Sequence, residues 1–504
     1  MRRLFILAVA VLAIASCCKK QSPHPEWTYN SVVYEVNIRQ FSPEGTFKGV
    51  EAQLPRLKKL GVDILWLMPM YEIGTVERKG SLGSYYAISD YKKVNEEFGT
   101  MEDFQSLLDA AHEFGFKVIL DWVANQTAPD HVWMTEKPAE FYERDAEGNA
   151  IWEYDWTDTR SLNYANEEVW WAQDDAMRFW LEKGVDGFRC DAAGEVPAEF
   201  WKGILPKMNK DYPDIYLLAE AERVNLSDPL ETFDCNYAWE LHHLLNAISQ
   251  GSKNVQELKD YVARDAQNFP KEAFRLTFTS NHDENSWSGT EFEREGIYAN
   301  ACAVLCFTLP NSQPLIYTGQ EIGLDRRLEF FEKDPITDWT PNKYTCFWKK
   351  LVDLKHQNPA LAAGERGGEL TWWEVPVPET VVAFDRHLGD NQVVVIANFG
   401  KEAYEPVFNI PGAAYTNHFT GETIESPCEL SIAPGEFVVL TKGSCPAAHE
   451  CKKACDHEKD HACKHDQGCE NHQGCENHQG CENHQGCGND HGCDHDQHCG
   501  KCDK

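Results

Sequence analysis

Between Trp27 and about Ala363 the chain repeats one unit, a short apolar run, a polar loop and an amphipathic segment. Asp63-Ile-Leu-Trp-Leu-Met-Pro69 reads as a buried strand that stops at proline. Phe104, Leu107, Leu108, Ala111 and Phe114 recur at helical spacing, and Gly115 closes that helix. The next run, Lys117 to Val123, is again a buried strand. Similar runs precede Asp191, Glu220 and Asp283, and one more is Pro314-Leu-Ile-Tyr317. Strands and helices alternating over residues 25–365 require a parallel sheet, either a closed (β/α)8 barrel or an open doubly wound sheet.

Two stretches break the rhythm. Residues 126–165 are too long for a simple crossover and carry Trp133, Phe141, Tyr142, Trp152, Tyr154 and Trp156 among acidic and amide residues. They read as a subdomain inserted after the third strand. Over 367–442 the runs become short and β-rich, as in Val393-Val-Val-Ile396 and Phe437-Val-Val-Leu440, which predicts a C-terminal antiparallel β-sandwich.

The carboxylates that end strands are the candidate chemistry. In a (β/α)8 barrel the C-terminal strand ends form the active face. In Gly187-Phe-Arg-Cys-Asp191, alternation puts Arg189 and Asp191 on one side, and a guanidinium there favours an ionised nucleophile. Glu220 ends another apolar run, where burial is expected to raise its pKa toward that of a general acid. From spacing alone Glu222 exchanges roles with it. Asn281-His282-Asp283 adds a third carboxylate and an imidazole. Any one of these is as consistent with a structural ion pair as with catalysis; their occurrence on successive strand ends points to a site.

Several motifs in order are similar to those of the alpha-amylase family of retaining glycoside hydrolases. Asp121-Trp-Val-Ala-Asn125, Gly187-Phe-Arg-Cys-Asp191, Leu218-Ala-Glu220 and Phe278-Thr-Ser-Asn-His282-Asp283 resemble its four conserved regions. Ser84-Tyr-Tyr86 through Tyr91 resembles the loop whose Tyr stacks on the cleaved sugar, and Gln313 to Glu321 resembles the eighth-strand region. The resemblance spans Trp27 to Lys442. It implies the barrel, and implies Asp191 as nucleophile, Glu220 rather than Glu222 as general acid, and Asp283 as transition-state stabiliser. It further implies Tyr86, Gln126, Arg189 and His282 as substrate-binding or positioning residues, and an α-glucan or maltooligosaccharide as substrate. Retention would hold the two carboxyl groups about 5–5.5 Å apart.

The chain also departs from that family. Gln126 stands where many members carry His, which sets an altered hydrolase against a weak surface glucan-binding protein. Ala192-Ala-Gly-Glu195 is similar to neopullulanase-like and glucosidase-like members, so short oligosaccharides, pullulan and transglycosylation enter as alternatives. Asn125 is a calcium ligand in many amylases, and Asp130, Asp155 and Asp158 lie nearby as candidate oxygen ligands, though solvated loop acids explain them as well. No cofactor is required for the chemistry. Cys302 and Cys306 read as small core residues. Trp372 and Trp373 either bind starch or pack the β-domain, and Phe330, Phe331 and Trp339 either line acceptor subsites or pack.

The two ends have their own composition. Arg2 and Arg3 precede an apolar run, Leu4 to Ile14, too short to span a bilayer that needs about 20 residues. Ile14-Ala-Ser-Cys17 resembles the lipobox of bacterial lipoproteins, which implies a signal over residues 1–17, lipidation of Cys17, and an exported, lipid-anchored protein at the outer membrane or cell surface of a bacterium. An ordinary secretory signal is the alternative. Of the 19 Cys, 11 fall in residues 445–504 with 10 of the 19 His, and Gly-Cys-Glu-Asn-His-Gln repeats around Cys469, Cys475 and Cys481. With His472, His478 and His484 at i+3, the tail reads as a multi-site binder of zinc, copper or nickel, disordered when empty; a disulfide mesh and a merely solvated tail are the rivals. A net charge of -34 argues against nucleic acid as a partner and suits a neutral substrate.

Overall fold

The structure is a computed structural model that describes residues 22–409 and 414–443. Cys17 and the tail residues Cys469, His472, Cys475, His478, Cys481 and His484 lie outside the described residues.

Eight parallel strands close into a barrel in chain order: β1 (Val33–Val36), β2 (Ile64–Leu67), β3 (Lys117–Val123), β4 (Gly187–Asp191), β5 (Tyr216–Ala219), β6 (Cys235–Tyr237), β7 (Phe274–Thr277) and β8 (Ser312–Tyr317). Strand β8 pairs back onto β1 with Val33 opposite Leu315. Closure selects the (β/α)8 barrel over the doubly wound alternative. Two strands, β1 and β6, are not among the runs singled out in the sequence; β1 is apolar but for Glu35. β6 is three residues, Cys-Asn-Tyr, too short and too polar to stand out as an apolar run.

Alternation divides the apolar residues into two cores. Val33, Ile64, Trp66, Ile119, Tyr216, Leu218, Phe274, Leu276 and Leu315 fill the barrel interior. The opposite face of the same strands, with Tyr34, Leu65, Leu120, Phe188 and Leu217, packs against the helices outside. The expected helix runs from Met101 to Glu113. Thr100 and Asp103 exchange side-chain and backbone hydrogen bonds at its start, and Gly115 follows its end at φ +83°. Its buried residues, Phe104, Leu107, Leu108 and Ala111, are those of the helical spacing. Phe104, Leu107 and Leu108 each contribute roughly 1.5–3 kcal/mol by burial.

Two excursions decorate the C-terminal ends of the strands. A hairpin of Tyr71–Ile73 with Ile88–Val94 follows β2 and carries Tyr86 in its loop. The segment after β3 begins with a two-residue strand, Gln126–Thr127, paired with Arg160–Ser161, and between them Trp133, Phe141 and Tyr142 are buried.

The C-terminal region is antiparallel, as expected. It contains β9 (Glu369–Trp372), β10 (Val381–Leu388), β11 (Asn391–Asn398), β12 (Ala414–Asn417), β13 (Thr423–Glu425) and β14 (Phe437–Lys442), in the spatial order β9-β10-β11-β14-β12-β13. One face of this sheet, with Val382, Phe384, Val393, Val395 and Val439, joins the core that surrounds the barrel. The other face packs against a ribbon of Val407–Phe408 paired with Cys428–Glu429, through Phe408 and Ile432. The second layer of the sandwich is thus only two strands wide. Cys302 and Cys306 are buried in the helix Ala299–Thr308 and serve packing, as expected.

Candidate active site

The strand ends place the candidate carboxylates around one guanidinium. Asp121 on β3 lies directly beside Arg189 on β4 in the register. Arg189 is fully buried, and its Nη1 donates to Asp121 Oδ1 and to Asp191 Oδ1, both at 2.9 Å. Its Nη2 stands 2.9 Å from Glu220 Oε2, and its Nε donates to Tyr237 OH at 3.1 Å. The guanidinium also lies over the Trp66 ring, 4.8 Å from its centroid. A planar fork on a short strand can reach three carboxylates at once, which a lysine could not.

A second chain of contacts runs from the opposite side of the barrel. Glu35 on β1 accepts from His282 Nδ1 at 2.5 Å. His282 Nε2 lies 2.7 Å from Tyr86 OH and 3.4 Å from Asp283 Oδ2. Tyr86 OH donates to Asp121 Oδ2 at 3.0 Å, and Trp66 Nε1 donates to the same oxygen at 3.1 Å. The Tyr86 and His282 rings stack 5.4 Å apart. Burial opposes charge on His282, but Asp283 and Glu35 outweigh it and raise its pKa to about 9. It is therefore an imidazolium at neutral pH, with both nitrogens donating. Asp283 is itself pushed up by burial, against the pull of His282.

The catalytic pair departs from expectation. Burial pushes Asp191 well above the usual carboxylate range, and the charge of Glu220 adds to it. Burial pushes Glu220 up as well, yet Arg189 and the Ala192 N–H, which donates to Oε2 at 2.9 Å, hold it below its ordinary value. The expected rise at Glu220 is thus corrected: the guanidinium and the amide outweigh its burial. Ala192 presents that N–H from a left-handed backbone, φ +43°, a conformation that costs a non-glycine residue energy and clusters at functional sites.

These groups open into a cavity of about 950 Å³ lined by Asp191, Glu220, Asp283, Tyr86, Gln126 and His282. Gln126 is buried and lines this cavity, and its Oε1 has no hydrogen-bond partner among the described residues. Phe330 and Phe331 line the wall with Trp287, and Tyr154 and Trp156 line it from the inserted segment. Trp339 does not: it packs on Phe41 and Arg56, with its Nε1 donating to Phe41 O. Glu222, interchangeable with Glu220 by spacing, pairs with Arg275 and accepts from Glu240 N at 2.8 Å. Glu195 meets Arg223 at 3.5 Å on the rim.

The candidate calcium ligands have protein partners through some of their atoms. Asn125 donates its amide to Glu153 Oε2 at 3.1 Å. Asp130 Oδ2 takes both amides of Thr75 and Val76, and Asp158 faces Lys79 at 3.5 Å. Among the described residues no group of three or more Asp, Glu, His or Cys side chains converges on one cation position.

Sequence reasoning passed over Glu35 and the contacts of Asp121. Each is a charge inside an otherwise apolar strand, Val33-Tyr-Glu-Val36 and Ile119-Leu-Asp-Trp122, and that pattern was the available signal.

A closed parallel barrel with three carboxylates and a stacking tyrosine at its C-terminal mouth defines an O-glycosyl hydrolase. The chain belongs to the alpha-amylase family: residues 22–362 match the model of the alpha-amylase catalytic domain. It is 30% identical over 390 residues to the alpha-amylase MalA of Haloarcula japonica, covering 75% of this chain and 56% of that relative. It thus spans little more than half of that protein. It is 24% identical to an oligo-1,6-glucosidase of Parageobacillus thermoglucosidasius, over 76% of this chain and 92% of the relative. An alpha-amylase structure from Lactobacillus plantarum superposes with a TM-score of 0.72 at 31% identity, covering 82% of this chain and 98% of that one.

Proposed function

We propose that this hydrolase cleaves α-1,4-glucosidic bonds of starch-type glucans or maltooligosaccharides by double displacement with retention. The observation that carries the reading is the single Arg189 fork, which touches Asp191 through one nitrogen and Glu220 through the other. It gathers both carboxyl groups at one guanidinium, in keeping with the close spacing, about 5–5.5 Å, that retention requires.

Asp191 attacks the anomeric carbon as Glu220 protonates the leaving oxygen; Glu220 then deprotonates a water that releases the sugar. A glycosidic oxygen seated at Glu220 accepts a hydrogen bond only from its protonated form, so the productive complex has Glu220 protonated and Asp191 ionised. Asp283 and His282 hold sugar hydroxyls, Tyr86 supplies a ring face, and Gln126 accepts from a hydroxyl.

The test is incubation with maltoheptaose, maltotriose and pullulan, with proton NMR of the first product released. Retained α-configuration and products from maltoheptaose support the reading; inverted product or no turnover overturns it. The leader supports a form tethered through Cys17, tested by loss of labelled-lipid incorporation in Cys17→Ser.

A further inference from the structure

The C-terminal sheet holds a second cavity, of about 490 Å³, on its face away from the barrel. Its volume lies in the range of small-molecule sites, about 300–1,000 Å³. Ala383 and Asp385 of β10 and Gln392 and Ile396 of β11 line one side, and Val407 and Phe408 of the ribbon line the other. Trp373 stands between them, its ring 5.9 Å from that of Phe408. Trp372, its neighbour, packs instead edge-on to Phe384.

The polar groups here are locked in a row. Trp373 Nε1 donates to Asp385 Oδ2 at 2.8 Å, which fixes the plane of the indole. Gln392 Nε2 donates to Asp385 Oδ1 at 3.1 Å, and Tyr415 OH donates to Gln392 Oε1 at 2.7 Å. Asp385 is 7% exposed. The cavity therefore sets an immobilised aromatic face beside a buried carboxylate and amide. A pyranose ring presents the matching pair, an apolar C–H face and a rim of hydroxyls. No Lys or Arg is among the described residues that line the cavity, whose carboxylates are Glu374 and Asp385, the latter also 3.2 Å from His387 Nδ1, so the lining favours a neutral ligand over an anion.

We propose that this cavity is a second, non-catalytic site for a neutral sugar chain, seated on Trp373. That the chain is the α-glucan rests on the reading of the barrel; the cavity itself selects neutral sugar. A site outside the barrel holds the polymer near the enzyme while the barrel works along it, which raises the effective concentration of substrate.

Maltoheptaose is titrated calorimetrically into the full chain carrying Asp191→Asn, which prevents turnover. Two binding events per chain are expected, falling to one when Trp373→Ala or Val407→Arg is added. Val407 is 65% exposed at the rim, so its variant blocks the cavity without disturbing the sheet and carries the test if Trp373→Ala fails to fold. In the otherwise unaltered chain, Val407→Arg should leave kcat/KM on maltotriose within about twofold. Two events that persist in the Val407→Arg chain overturn the proposal, as does a single event that persists there. A single event that Val407→Arg abolishes supports this site and overturns the barrel reading instead.

Discussion

Glu35 on the first strand and His282 beyond the seventh meet at the barrel mouth with only the eighth strand between them, Oε1 2.5 Å from Nδ1, both almost wholly buried. With Asp283, the contact raises the pKa of the imidazole. It also fixes the ring so that Nε2 points at Tyr86 and Asp283, and so joins the first strand to the loop after the seventh.

Glu35→Gln should therefore act on His282. With its anion gone, the pKa of His282 falls from about 9, and the alkaline limb of kcat/KM moves to lower pH. Stability follows the same sign. A histidine raised in the folded state contributes fully below its unfolded value near 6.5, and the contribution is lost as pH rises through about 9. Thermal midpoints measured from pH 6 to 9.5 should decline in wild type and flatten in Glu35→Gln; parallel curves would show that the two groups are not linked.

Asp191→Asn should lower kcat on maltoheptaose by at least about 10⁴-fold, as loss of a covalent nucleophile does. Glu220→Gln should cost about 10²–10⁴-fold on the same substrate, the usual contribution of a general acid. On a nitrophenyl glycoside, whose leaving group departs without a proton, the first step should recover. Equal loss on both substrates would remove Glu220 from the acid role.

Glu220→Gln should also shift the acid limb. Burial and the Glu220 charge both raise Asp191, so removing that charge lowers the pKa of Asp191. Single-turnover rates on the nitrophenyl glycoside, followed as pH falls, should hold to lower pH than in wild type. An unmoved limb would mean that the Glu220 charge does not act on Asp191.

Gln126→Ala should reduce kcat/KM about tenfold, the value of one hydrogen bond of about 1–1.5 kcal/mol, with little change in melting temperature. Gln126→His supplies a charged donor at the same place and should raise turnover above wild type. A variant that binds maltoheptaose normally and turns it over normally without Gln126 would exclude the contact.

Removal of residues 445–504 should leave hydrolysis intact and reduce zinc bound per chain, measured by mass spectrometry of dialysed protein. Unchanged zinc content would refute the metal-affine reading of the tail.

Much of this was legible in the chain. Lys117 to Val123 is a strand over the span its apolar run predicts, and the helix after Thr100 buries the residues of its 3.6-residue spacing. Strand alternation alone put Arg189 and Asp191 on one side. These follow from the sequence because backbone geometry fixes which neighbours share a face. Barrel closure, the junction of Glu35 with His282, and the opposite pKa shifts of Asp191 and Glu220 did not follow. Residues 247 positions apart meet only when eight strands close. The burial that raises Asp191 and the guanidinium and amide that hold Glu220 down arrive from different elements. Spacing set which carboxylates were available; the tertiary field decided in which direction each pKa moves.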